Sequence, residues 1–562
     1  MTMQAIVDLV AICAKKGIRH AILSPGSRCA PLTLAFARNP EIQTRTISDE
    51  RSAAFIALGM AQQLKQPVVL VCTSGSAALN YFPAVSEAFF QEIPLLILTA
   101  DRPPEWIDQW DGQTIHQTKV YGKHVKESFD FPDSFEHQDQ LWFAQRIVNE
   151  AINLSISGPK GPVHINIPLR EPFYPKKGES FYASADLPII QVREGKRNLS
   201  HEDLDDLKSK LNAFKKILIV PGQQNPDPTI SELLQKLSEV QHLVVVADTI
   251  SNHQISGSVT LHDHWIGNEP ISKDLVPDLV ISFGKSVISK SLKLFLRKNE
   301  VEHWHIQAHQ GLRDPFQGLT EFLDCDAIFF LKWLSEQGFS SDKAFQEKWS
   351  GLEDKVNKSL FNLLDQEDFG EYPAFKKVLE NIPANSQIQV ANSMAVRYLN
   401  FLGKRPQEIY CNRGTSGIDG SNSTAVGAAW VNDGFVTLIT GDLAFFYDRN
   451  AFWNNYPTPN LRIILLNNHA GGIFRLIEGP SQQPELEEYF ETDQTLDASY
   501  LAKEQGFDYA LARDSEELEA YLQDFFKESS QPKILEIESI SRENAQIISR
   551  IKKRIAQELL RS

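Results

Sequence analysis

Cysteine is scarce in this chain, and what there is makes no pattern. Cys13, Cys29, Cys72, Cys325 and Cys411 lie far apart in 562 residues, with no CxxC pair and no metal-ligand spacing. That excludes a disulfide scaffold and a zinc module, and fits ordinary buried thiols in a reducing cytoplasm. Basic charge is also short: 56 Lys and Arg face 72 Asp and Glu, for a formal net charge of −16. A nucleic-acid partner is therefore not expected, since phosphate backbones need a basic footprint. Any anionic ligand must be held by a local cluster of cations. Long apolar runs are missing too. No window approaches eighteen uncharged apolar residues, so neither a membrane span nor a membrane partner is expected. The apolar stretch within Met1–Gly17 is interrupted by Asp8 and closed by Lys15-Lys16, a spacing that suits an amphipathic helix better than a signal peptide.

What remains is globular in composition, with 42% hydrophobic and 23% charged residues. The length exceeds one core and suggests three or four domains. Short continuous apolar runs alternate with helix-length segments, which is how parallel strands buried on both faces read. The expected strands are His20–Leu23, Ile42–Ile47, Val68–Thr73, Leu95–Thr99, Val125–Phe129 and Val163–Ile167. A second group comprises Ile217–Val220, Leu243–Ala247, Leu279–Phe283 and His303–Ile306. A third comprises Gln387–Ala391, Glu408–Cys411, Val436–Thr440, Leu461–Leu466, Tyr509–Leu511 and Ile534–Glu538. The fold class is α/β, with three parallel-sheet, Rossmann-like domains over 1–182, 183–345 and 346–562. The polar stretch near 183–205 and the charged helical stretch near 340–368 read as the two linkers. The outer domains are expected to share a fold, although no sequence repeat links them.

The chemistry concentrates at strand ends, where open parallel sheets bind ligands. Val436–Thr440 leads into Gly441-Asp442-Leu443. The next strand, Leu461–Leu466, leads into Asn467-Asn468, placing Asn468 26 residues after Asp442. Asp442, the amide oxygen of Asn468 and the carbonyl of Ala470 offer three hard oxygen ligands to Mg²⁺ or Mn²⁺, leaving positions for diphosphate oxygens and water. Gly471-Gly472 permits close backbone approach. Asn412-Arg413-Gly414-Thr415-Ser416-Gly417-Ile418-Asp419-Gly420 forms a glycine-rich strand-to-helix turn suited to phosphate or cofactor contact. Ser48-Asp49-Glu50-Arg51 follows a strand and opens an Ala-rich helix. Taken alone, each strand end reads as an Asx-turn, Glu50 as a helix-dipole partner and Ile418 as core.

Together these motifs resemble the thiamine-diphosphate-dependent enzymes. The resemblance covers both outer domains, with Leu443 standing where a Gly is usual. It implies a pyrimidine-binding first domain, a central domain and a diphosphate-binding last domain. It further implies that Glu50 contacts the cofactor's pyrimidine as a proton-relay acid, and that Ile418 bends the cofactor. Gly417, Gly441, Leu443, Gly471 and Phe474 would line it, with the cation on Asp442, Asn468 and Ala470. Ser24-Pro25-Gly26-Ser27-Arg28, Thr73-Ser74-Gly75-Ser76 and Thr99-Ala100-Asp101-Arg102-Pro103-Pro104-Glu105 narrow the resemblance to the menaquinone-synthesis branch. That branch decarboxylates 2-oxoglutarate and adds its succinic semialdehyde unit to isochorismate. The cations for these anionic substrates would be Arg28, Arg102, Arg397, Arg413 and Lys290, with Ser27, Gln113 and Ser393 as neutral partners. Ser291 stands where the branch has a second basic residue. The resemblance also implies a homodimer or dimer of dimers with sites at the subunit interface. His116 reads as polar surface and His469 as a turn residue. The alternatives are another thiamine-diphosphate 2-oxo acid decarboxylase or acetolactate-type carboligase, and a non-catalytic nucleotide- or FAD-binding protein.

Overall fold

The structure is a computed structural model that describes residues 2–177, 179–308 and 311–561. Three fully parallel sheets of six, five and six strands make up the architecture. The first contains β1 (His20–Leu23), β2 (Gln43–Thr46), β3 (Val68–Cys72), β4 (Leu95–Asp101), β5 (Ser128–Asp130) and β6 (Val163–Pro168), in the order β2-β1-β3-β4-β6-β5. The second contains β7 (Ile217–Pro221), β8 (Val244–Val245), β9 (Leu279–Phe283), β10 (Glu302–Ile306) and β11 (Leu319–Leu323), in the order β11-β10-β9-β7-β8. The third contains β12 (Gln387–Val390), β13 (Glu408–Tyr410), β14 (Val436–Gly441), β15 (Leu461–Asn467), β16 (Asp508–Ala512) and β17 (Lys533–Glu538), in the order β13-β12-β14-β15-β17-β16. The two outer sheets therefore share one strand order: second, first, third, fourth, sixth, fifth. In both, the order reverses beside the first strand, and that switch point is where doubly wound sheets open a crevice.

The expected strands are present, with three adjustments. Val125–Phe129 shifts to β5 (Ser128–Asp130), Leu243–Ala247 shrinks to β8 (Val244–Val245), and β11 was not expected. β11 is a sheet edge with only Leu323 buried, so it lacks the continuous apolar run that marks its neighbours.

Two of the buried apolar clusters belong to one sheet each, and two are shared between sheets. The charged stretch read as a linker is the helix Lys343–Leu364, which buries Phe345, Trp349, Val356 and Leu360 in a core common to the second and third sheets. The position 345/346 thus falls inside a continuous helix. The first and third sheets are joined through the helices Glu50–Leu64 and Ser421–Ala429. Their backbones touch because two glycines face each other's chain. A Cβ on Gly59 would lie 2.1 Å from the Thr424 carbonyl oxygen, and one on Gly427 would lie 2.0 Å from that of Ile56. All five cysteines are buried and free. Among the described residues, no helix is long and apolar enough to cross a membrane.

Candidate active site

The switch point of the third sheet opens into a cavity of about 510 Å³. Asp442 follows β14 and lines it, 3% exposed. Its Oδ2 accepts a hydrogen bond from Gln494 Nε2 at 2.8 Å. Burial pushes its carboxyl up to about 6. β15 delivers Asn468, whose Oδ1 accepts from the Ala470 amide at 3.0 Å, closing the Asx-turn expected there. Its Nδ2 donates to Glu371 Oε1 at 2.6 Å. Glu371 also lines the cavity, is 2% exposed, and is raised to about 7, chiefly by burial. The backbone comes close to this group: a Cβ on Gly472 would lie 3.1 Å from Asn468 Nδ2, a tight contact.

The donor chemistry fits a hard divalent cation. Asp442 and Glu371 face one apolar-walled space, and two buried carboxylates are costly without a compensating charge. Asp442, Asn468 and Ala470 line that space and carry oxygen donors. Among the described residues no group of three or more His, Cys, Asp or Glu is clustered for a metal, so a cation here needs ligand oxygens to complete its shell, as Mg²⁺ commonly does with phosphates. Gly441, Leu443, Gly471 and Phe474 line the same cavity.

The same cavity is lined by the cations Arg397 and Arg413. Ser393 has φ 69° and starts the helix Met394–Phe401. Such left-handed geometry is uncommon outside glycine and clusters at functional sites. Arg397, one turn on, donates to the Ser393 carbonyl at 2.6 Å. Arg413 donates to Asn392 Oδ1 at 3.0 Å, and its Nε is buried without a partner. Neither arginine forms an ion pair among the described residues. Burial and the neighbouring Arg413 both lower the Arg397 guanidinium. Two unneutralised guanidiniums in one cavity favour an anionic occupant. Asn392 pins both ends of the glycine-rich turn, donating to the carbonyls of Asn412 (2.6 Å) and Gly417 (2.7 Å). Ile418 is 37% exposed on the cavity wall, which removes plain core packing as its explanation.

The first sheet gathers the remaining candidates at its own carboxyl edge. Glu50 opens its helix behind the N-cap Asp49, which accepts from the amides of Arg51 (2.9 Å) and Ser52 (3.2 Å). Glu50 is half-buried, and its charge contributes to raising the thiols of Cys29, which caps the helix Ala30–Arg38, and Cys72, at the end of β3, behind the larger effect of burial. Ser27 and Arg28 follow β1. Arg28 donates to the Leu169 carbonyl at 2.7 Å and stacks over Phe173 at 4.9 Å. Arg102 pairs with Asp111 at 2.9 Å and donates to the Gly112 carbonyl at 2.6 Å. It thereby braces the loop carrying Gln113, φ 55°. Thr73 Oγ1 and Ser74 Oγ are buried here with no partner.

Glu50, Ser27, Arg28, Arg102 and Gln113 do not line the cavity of the third sheet. The expected site residues thus form two groups on two sheet edges. Lys290 joins neither: it is exposed at the start of the helix Lys290–Lys298. Lys293, one turn further, is half-buried, and its ammonium is lowered by burial and then by Arg413 and other nearby charges. Gly417 contributes its carbonyl to the Asn392 clamp but does not line the cavity. His116 is an exposed partner of Asp108, and His469 a turn residue, φ 61°, paired with Glu538.

Three residues of the arrangement were not anticipated. Glu371 and Gln494 hold Asn468 and Asp442. Glu87, on a helix of the first domain, accepts from the Gly414 amide (2.7 Å) and from the Thr415 amide and hydroxyl (both 2.6 Å). The only sequence signal was for Glu371, an acid beside a glycine at a helix start.

Three family models match the chain in succession. They are described as the thiamine pyrophosphate enzyme N-terminal TPP binding domain (residues 3–120), the middle domain of thiamine pyrophosphate (184–390), and the thiamine pyrophosphate enzyme C-terminal TPP binding domain (391–537). Relatives match over nearly the whole length. The 2-succinyl-5-enolpyruvyl-6-hydroxy-3-cyclohexene-1-carboxylate synthase of Cytophaga hutchinsonii is 46% identical over 99% of this chain and 100% of its own. The protein of the same description from Flavobacterium johnsoniae is 40% identical over 96% of this chain and 97% of its own. That from Christiangramia forsetii is 38% identical over 94% and 95%.

Proposed function

The chain belongs to the thiamine pyrophosphate enzyme family, and from that premise we propose that it is a thiamine-diphosphate-dependent carboligase of menaquinone synthesis. It decarboxylates 2-oxoglutarate and joins the remaining succinic semialdehyde unit to isochorismate. The products are 2-succinyl-5-enolpyruvyl-6-hydroxy-3-cyclohexene-1-carboxylate and CO2. The observation that carries this reading is one cavity lined by buried Asp442 and Asn468 and by Arg397 and Arg413, neither of which forms an ion pair among the described residues. A cation and diphosphate fit the first pair, and substrate carboxylates fit the second.

When bound, thiamine diphosphate supplies the nucleophilic carbon and the electron sink for loss of CO2. The protein supplies position and charge. Asp442, Asn468 and Ala470 would hold Mg²⁺ or Mn²⁺, leaving coordination positions for diphosphate oxygens. Gly441, Leu443, Gly471 and Phe474 would line the cofactor, and Ile418 would support it from the cavity wall. Arg397, Arg413 and Ser393 orient carboxylates, with Lys293 better placed than Lys290 to add charge from the central domain. Glu50 would supply the carboxyl that holds and moves a proton at the cofactor's pyrimidine. Because Glu50 does not line its own chain's cavity, a second copy brings its first-sheet edge there, together with Ser27, Arg28, Arg102 and Gln113. The working unit is a homodimer or a dimer of dimers, and five free, buried thiols support a cytoplasmic setting.

The test supplies 2-oxoglutarate, thiamine diphosphate and Mg²⁺ with and without isochorismate, and measures CO2 and ring product. Glu50→Gln should lose at least about 100-fold in turnover, the scale of one general acid–base group, while still binding the cofactor. Unchanged turnover in Glu50→Gln removes the proton role. Equal use of pyruvate as donor removes the substrate assignment.

A further inference from the structure

Asn468 presents a chemical ambiguity that the fold resolves. A side-chain amide has a donor end and an acceptor end of nearly equal size, and its partners alone decide which way it faces. Here Oδ1 accepts from the Ala470 amide at 3.0 Å, leaving one lone pair, and Nδ2 donates to Glu371 Oε1 at 2.6 Å. An ionised carboxylate only accepts, so it can meet only the NH2 end. Glu371 is itself held from several elements. It opens the helix Glu371–Asn381, and its amide donates to Asn544 Oδ1 at 2.9 Å, on the helix Ser541–Arg561. Tyr398, on the helix Met394–Phe401, hydrogen-bonds its carboxylate. Among the described residues Glu371 forms no ion pair although it is 2% exposed. A buried carboxylate without a cation is costly, and nothing in the local packing requires one. Gly472 lies against the same amide, since a Cβ there would be 3.1 Å from Asn468 Nδ2.

We propose that Glu371 is a positioning residue for the cation site: it locks Asn468 with its amide oxygen turned toward the metal. The inference rests on the reading of Asp442 and Asn468 as cation ligands. Partners that orient metal ligands typically contribute a factor of 10–100 to metal affinity.

Calorimetric titration of Mg²⁺ into protein with saturating thiamine diphosphate tests this without reference to turnover. Two variants probe the contact. Glu371→Gln keeps the reach but offers a donor as well as an acceptor end, so it no longer dictates which end of Asn468 it meets, and should weaken Mg²⁺ on the order of 10-fold. Glu371→Asp keeps the charge but withdraws it by one methylene, breaking the 2.6 Å contact, and should weaken Mg²⁺ on the order of 10-fold. Both changes are small enough to preserve the fold, which melting curves verify. Parental Mg²⁺ affinity in either variant overturns the proposal. Asp442→Asn serves as the control: if it binds Mg²⁺ like the parent, the cation site itself is misassigned.

Discussion

Asp448 shows how a single buried acid can set the response of the chain to pH. It is fully buried and accepts from the Ser423 amide at 2.7 Å and the Ser423 hydroxyl at 2.9 Å, fastening the start of the helix Ser421–Ala429. Burial pushes its carboxyl up to about 7, and the Ser423 bonds and Arg51 offset only part of this. The folded chain therefore holds the proton more tightly than the unfolded one. Stability from this group is complete below the unfolded pKa near 4 and is lost as pH rises to about 7, at up to about 1.4 kcal/mol per pH unit. Asp448→Asn removes that dependence. In urea unfolding the variant should match the parent at or below about pH 4 and exceed it increasingly up to pH 7.5. A gap that does not widen with pH contradicts the assignment. Ile418 makes a different point at the same scale: its apolar side chain stays 37% exposed on the cavity wall, an arrangement more useful to a ligand than to the core.

Among the elements, the crossing of Glu50–Leu64 with Ser421–Ala429 is the least tolerant. Both backbones occupy the space a methyl group would need at Gly59 and Gly427. Gly427→Ala should destabilise by about 1–3 kcal/mol, as overpacking does, and lower the midpoint of chemical unfolding. An unchanged midpoint indicates that the helices can separate freely. The strands were legible because parallel strands buried on both faces must be continuously apolar. β11 escaped because an edge strand carrying Thr320 and Glu321 owes its place to pairing with β10, not to burial. The helix Lys343–Leu364 was legible as a helix but not as core. Its buried residues form a stripe within a charged sequence, and what that stripe packs against is encoded elsewhere.

For the whole molecule, the site was legible where it follows a strand end, since chain order alone puts Asp442, Asn468, Ser27 and Arg102 at carboxyl edges. It was not legible where a residue acts through a distant neighbour. Glu87 and Gly414 lie 327 residues apart, as Glu371 and Asn468 lie 97 apart, and no local pattern links either pair. The separation of Glu50 from the Asp442 cavity has a consequence for mixtures of damaged chains. On the proposed pairing of two copies around each site, a chain carrying Glu50→Gln and one carrying Asp442→Ala should each be inactive as a pure preparation. Unfolded together and refolded in equal amounts, they should then form mixed pairs in which both lesions fall on one site and the other is whole. Random pairing of this kind should restore about a quarter of parental activity, since half the dimers are mixed and each has one sound site of two. Complementation between two silent proteins would locate the catalytic unit in the contact between chains, and its absence would return each site to a single chain.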